Sequence, residues 1–343
     1  MKSTLSALLL LFILNTNAQE FKTPVEYLDY IGKESDIISR TTWKYTLAVA
    51  HSKSARKIDN TRKALVKSIQ NAKKKISGLK DGYKGDVEYR DQMLAYLTIS
   101  ENQINEEYDK IIDMQEVAEQ SYDFMEAYIL ARDLVNQKIN AEVDKLNSNQ
   151  KIFANKYGIQ IGEDKSDLAK KMKISNEVFG NQTDLYLIFF KANITDYNLL
   201  NAVEKKDLNA IQQNANALQQ FADEGLEKLK TFQAYKNDPL LVNATKKALE
   251  FYKKEAVELC PKIITFIMLN EKMEDSNTTM NNKNAKDRTK EEIDAFNKLV
   301  TEVNKEVGNY NKLNAKFNAE KTTAVNNWNM ASENFVSKHV PKD

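Results

Sequence analysis

The chain of 343 residues carries 50 Lys and Arg against 49 Asp and Glu, is 42% hydrophobic, and holds only 9 Gly and 4 Pro. That composition is globular, long enough to bury real cores, and too poor in turn formers for a strand-and-turn fold. Near-balanced charge argues against a surface dedicated to nucleic acid, whose affinity rests on excess cations meeting phosphate.

The first eighteen residues read as a secretory signal peptide. Lys2 is a short positive start, Leu5 to Leu14 an apolar core, and Thr16-Asn17-Ala18 a cleavage site that leaves Gln19 first. Removing Lys2 leaves 49 charges of each sign. No later run reaches the ~18 apolar residues of a spanning helix, so a soluble mature chain without a transmembrane helix is expected.

Helical periodicity follows almost everywhere. Helices are expected over about 25–51, 54–80 and 86–120, with a fourth ending near Tyr157. Ala55, Ile58, Leu65, Ile69, Ala72, Ile76 and Leu79 form one face of the second. Ser52–Ser54 can break and cap the first junction, and a turn or bend is expected near Ser121–Glu126. Gly158 and Gly162 mark a joint. Further on, Asp275–Asp287 reads as a polar loop, and one long helix is expected from Lys290 to Lys338, ended before Pro341.

An internal repeat organises this chain. Leu47, Ile58 and Ala64-Leu65 match Leu200, Ile211 and Ala217-Leu218. Tyr83-Lys84-Gly85-Asp86 matches Tyr235-Lys236-Asn237-Asp238 after one deletion, and Leu97, Ile111 and Ile112 then fall on Leu249, Ile263 and Ile264. In each copy a helix ends, a turn follows, and the Asp offers a cap to the next helix. The expected fold is all-α: two tandem, repeated antiparallel bundles of about four long helices each, over 19–158 and 163–343.

Two stretches are apolar all round, Leu185–Phe190 and Ile263–Leu269, and call for burial on every face, one against the other or between bundles. The sharper alternative is a concealed membrane-active segment. Pro261 should kink the second helix. The single cysteine, Cys260, excludes an internal disulfide and reads as a small buried hydrophobe.

Charge is segregated. Eleven basic residues over 53–84 face nine acidic ones over 101–126, from Glu101 and Glu106 to Glu126. They pair between neighbouring helices, or the basic face grips an anionic polymer or headgroup. Catalytic machinery is sparse. His51 and His339 are the two histidines, neither in a Glu-x-x-His or His-Glu-x-x-His pattern, and no Gly-rich phosphate loop exists. Asp109, Asp113 and Glu116 share a helix face that could bind a metal or do acid/base work, although a solvated acidic stripe explains them as well. The expectation is a non-enzyme with no cofactor and no metal. Its most distinctive local segment is the junction where His51, Ser52, Lys53, Ser54, Arg56 and Lys57 converge, a candidate ligand-binding site.

Four segments carry a family resemblance: Ala48–Lys57, Ala118–Tyr128, Tyr186–Lys191, and the C-terminal Asn327-Trp328-Asn329 with Ser337–Lys342. In these the chain resembles a family of uncharacterised, signal-peptide-bearing helical surface proteins of Gram-negative bacteria, across essentially the whole mature chain. The resemblance implies an exported protein of the periplasm or cell surface. The expected partner is an envelope or surface component, a protein or an anionic polymer, and not nucleic acid. A membrane-active helical protein, or a carboxylate-based metal protein or enzyme, stands as the alternative.

Overall fold

The computed structural model describes residues 21–52, 54–118, 122–162 and 166–342. The leader expected at 1–18 lies outside them. So do the side chains of most of the acidic run, including Asp109, Asp113 and Glu116. The protein is all-α: among the described residues there is no strand, only an isolated bridge between Tyr83 and Asp86.

The helices are α1 (Pro24–His51), α2 (Ala55–Ser77), α3 (Glu88–Ala118), α4 (Tyr122–Lys156), α5 (Asp167–Glu204), α6 (Leu208–Thr231), α7 (Leu240–Lys254), α8 (Cys260–Asn281) and α9 (Lys290–His339). The chain divides into two compact units. One takes residues up to Tyr45 with Asp59–Glu107 and Leu134–Asp164; the other takes Thr46–Ile58, Tyr108–Asp133 and Lys165 onward.

In the first unit the apolar stripe of α2 is core. Leu65, Ile69, Ala72, Ile76 and Leu79 are buried with Ile31, Met93 and Leu97, each large one stabilising the fold by roughly 1.5–3 kcal/mol. Aromatic rings fill one end, with Phe153 lying 5.2 Å from Tyr27 and 4.6 Å from Tyr157 between ring centroids. The turn after α2 needs left-handed backbone at Lys84 (φ 51°) and Gly85 (φ 88°). Gly82 is required there: at φ 57° an added Cβ would sit 1.9 Å from the Asp86 carbonyl oxygen. The turn carboxylate of Asp86 accepts from Lys156 Nζ at 2.8 Å and from Tyr157 Oη at 3.3 Å. Tyr83 meets the Tyr157 ring edge-on at 5.0 Å.

In the second unit α5 packs on α6, α7 and α9, and α8 packs on α6 and α9. Phe189 stacks on Trp328 at 4.2 Å, and the buried Trp328 indole N–H donates to Thr245 Oγ1 at 3.0 Å. Gly225 lets α6 approach closely, since a Cβ there would meet Leu249 Cδ1 at 2.8 Å. The second turn repeats the left-handed backbone at Lys236 (φ 48°) and Asn237 (φ 59°). Asp238 accepts from Lys338 Nζ and meets His339 Nε2, each at 2.7 Å, and accepts the Leu240 backbone N–H at 3.0 Å.

Two expectations are corrected. Residues 275–281 are helical, so the loop before α9 begins only at Asn282. Thr278 and Thr279 turn their hydroxyls onto the carbonyls one turn back, which satisfies them inside a helix that a polar composition alone would not extend. The second correction concerns burial. Leu185–Phe190 is buried or half-buried at every position, but Thr265 and Met268 in the other stretch are exposed. Only Ile263 and Ile267 of that stretch are buried, because α8 presents one face to α6 and α9.

Pro261 is accommodated rather than excluded. A π turn over Glu255–Leu259 joins α7 to α8, with the Cys260 N–H donating to the Glu255 carbonyl. Proline lacks an N–H and crowds the carbonyl four residues back, and widening the preceding turn relieves both.

Candidate functional site

The second unit contains a cavity of about 620 Å³, lined by 49–52 at the end of α1, by Phe179 and Gln182 of α5, and by 332–337 of α9 except Phe335. The α1 end reaches it because the helix stops at His51. Ser52 Oγ accepts the Ser54 N–H at 3.2 Å, and Ser54 Oγ accepts the Lys57 N–H at 3.3 Å, so the serines start α2 anew. Gln182 Nε2 donates to Ser332 Oγ at 3.0 Å and ties α5 to α9 at the wall.

His51 is the anomaly in this wall. Both of its ring nitrogens are buried and have no hydrogen-bond partner among the described residues. A buried polar atom left unpaired costs about 1–3 kcal/mol, so such an atom calls for an explanation. Of the six residues that the sequence singled out at this junction, His51 and Ser52 line the cavity. Ser54, Arg56 and Lys57 lie at the exposed start of α2, and Lys53 lies outside the described residues.

A second cluster escaped the sequence reading. Lys321 of α9 places Nζ 2.6 Å from Asp196 Oδ1 of α5 and 2.9 Å from Glu255 Oε1 in the π turn. Asp196 is 5% exposed and Glu255 2%, so three ionisable groups meet inside the bundle. The other Glu255 oxygen has no hydrogen-bond partner among the described residues. Burial and the Asp196 carboxylate push the Glu255 carboxyl up to about 8, against the pull of Lys321. Burial also pushes the nearby Cys260 thiol up to about 12, with Glu255 and Asp196 adding to it, so the cysteine is an inert thiol there. Nothing in a one-dimensional pattern pairs residues 196, 255 and 321. The proline that forces the π turn was the one visible signal.

The basic α2 face is partly spoken for. Lys75 Nζ lies 2.6 Å from Glu34, and Lys73 Nζ 2.7 Å from Glu101, whose carboxyl is lowered by hydrogen bonds from Lys73 and then Gln70. Among the described residues no three His, Cys, Asp or Glu side chains are placed to hold a metal ion, and no helix is long and apolar enough to cross a membrane. No family model, curated protein or solved structure matches the chain.

Proposed function

We propose that this is an exported, non-catalytic binding protein of the bacterial envelope or cell surface, built from two tandem repeated helical bundles, whose ligand enters the His51 cavity. The observation that carries the binding role is the pair of unpartnered imidazole nitrogens in the wall of a 620 Å³ cavity. That volume falls within the roughly 300–1,000 Å³ of small-molecule sites.

Matched details support the repeat. Asp86 is held by Lys156 and Tyr157 after Phe153, and Asp238 by Lys338 and His339 after Phe335. Tyr235 meets the His339 ring edge-on at 5.3 Å, as Tyr83 meets Tyr157. Bridges between helices also fall at matched positions, Gln70 to Glu101 at 2.8 Å and Lys253 to Asp223 at 2.6 Å. Export is supported by the leader pattern at 1–18 and by the family resemblance.

Native mass spectrometry of the chain, released from the envelope fraction without denaturant, tests the binding role. A small-molecule adduct is expected on the wild type and should disappear from Gln182→Trp, which fills the cavity. A bare wild-type chain, or an adduct retained by Gln182→Trp, would sink it. Protease treatment of intact cells tests the location. Release of fragments places the chain outside, protection until the outer membrane is opened places it in the periplasm, and recovery in the cytosol refutes export.

A further inference from the structure

We propose that the His51 cavity takes an uncharged, hydroxyl-rich small molecule of the saccharide type, a reading that rests on the binding role above and narrows it. The cavity wall decides between ligand classes. Ser52, Gln182, Ser332, Asn334 and Ser337 are all groups that both donate and accept, and none carries charge. His51 adds two nitrogens, of which a neutral imidazole uses one to donate and one to accept. A hydroxyl also donates and accepts at a single atom, so a ring bearing several of them matches such a wall position by position.

Other classes fit worse. The lining residues include no Lys or Arg and one carboxylate, Glu333. An anion would give up its water without a countercharge, which costs several kcal/mol. A hydrocarbon chain would leave both His51 nitrogens still without partners, at about 1–3 kcal/mol each. Phe179, Val49 and Val336 supply the apolar surface that the C–H face of a sugar ring requires. Gln182 and Ser332, fixed on each other at 3.0 Å, hold two of the polar groups at a set spacing before any ligand arrives. Rotation about its broad second side-chain torsion would turn an imidazole nitrogen toward the cavity.

The chain has two histidines, so protein labelled with ¹⁵N in histidine reports on His51 directly, with His339 on Asp238 as an internal control. The full chain is titrated separately with neutral saccharides (glucose, N-acetylglucosamine and maltose), with inorganic phosphate and with octanoate. Saccharide is expected to shift the His51 nitrogens and leave His339 in place. Gln182→Leu and Ser337→Ala, each checked for unchanged helicity, should weaken that response about tenfold, the loss of one good hydrogen bond. A response to phosphate or octanoate alone overturns the ligand class and leaves the binding role standing. No response of His51 to any probe, in a chain that also carries no native adduct, overturns both. A saccharide response shared by His339 or unchanged in both variants overturns the class as nonspecific.

Discussion

The turn at Asp86 and the turn at Asp238 close in the same manner, yet the cores of the two units differ in kind. Each turn carboxylate is gripped by a lysine and the aromatic residue after it at the end of a later helix. At the three offsets that set Leu47 on Leu200, Leu97 on Leu249 and, through the two clasps, Phe153 on Phe335, the buried Asp196, Glu255 and Lys321 correspond to Trp43, Gln103 and Ile139. The Trp43 indole is itself buried. The clasp is thus common to both units, whereas the buried charged cluster belongs to the second. Buried ion clusters seldom add net stability over apolar packing.

The largest effect expected from breaking this difference is at Lys321. Lys321→Met leaves Asp196 and Glu255 buried without their cation and should cost about 3–5 kcal/mol in chemical denaturation. Replacing all three together (Asp196→Leu, Glu255→Leu, Lys321→Met) should recover most of that loss, because removing the whole cluster removes the desolvation cost of every member. Failure to recover would make the cluster structurally indispensable and the comparison wrong.

The clasps come next. Asp238→Ala should cost about 1–3 kcal/mol, since it removes the acceptor that the Leu240 N–H, Lys338 and His339 share. Asp86→Ala should cost less, because the same carboxylate position there has two side-chain partners, one of them the weaker 3.3 Å contact to Tyr157. Hydrogen exchange of the two turns would read each loss locally.

Smaller effects appear with pH. Burial alone would raise the Asp238 carboxyl, but hydrogen bonds from Lys338, the Leu240 N–H and His339 outweigh it and hold it at about 2. A depressed carboxyl contributes stability above its ordinary range near 3.8, and that stability is lost as pH falls toward 2. Asp238→Asn should flatten this acid limb in Tm against pH. Glu255 has the opposite sign. Its raised carboxyl contributes stability that is complete below the ordinary 4.5 and lost as pH rises through about 8. Glu255→Gln should abolish that alkaline decline while changing stability near pH 5 by less than about 1 kcal/mol, because an amide replaces a neutral acid of the same shape.

Sequence reading went furthest where the signal was local. Helix ends at His51, Lys156 and His339 were visible because serines, Gly158 and Pro341 punctuate a periodic pattern. The shared turn was visible because Tyr-Lys-Gly/Asn-Asp is turn chemistry that needs left-handed backbone. Continuation of α8 to Asn281 was not, since its polar last turns are helical only by satisfying hydroxyls internally and lying on α9. At the candidate site, His51 and Ser52 were found by their crowding at a junction. Gln182 and Ser332 were missed because they lie 150 residues apart and are joined only across packed helices.

Composition, periodicity and turn chemistry thus determined by themselves an all-helical chain, most of its helix limits and its duplicated turn, because each depends on residues within a few positions of one another. Tertiary structure alone decided that Asp196, Glu255 and Lys321 share one buried point, that a π turn carries Glu255 to it, and that His51 stands unpartnered in a cavity wall. Those outcomes depend on which faces of distant helices meet, and a spacing of 3.6 residues per turn constrains the face of one helix without specifying its neighbour.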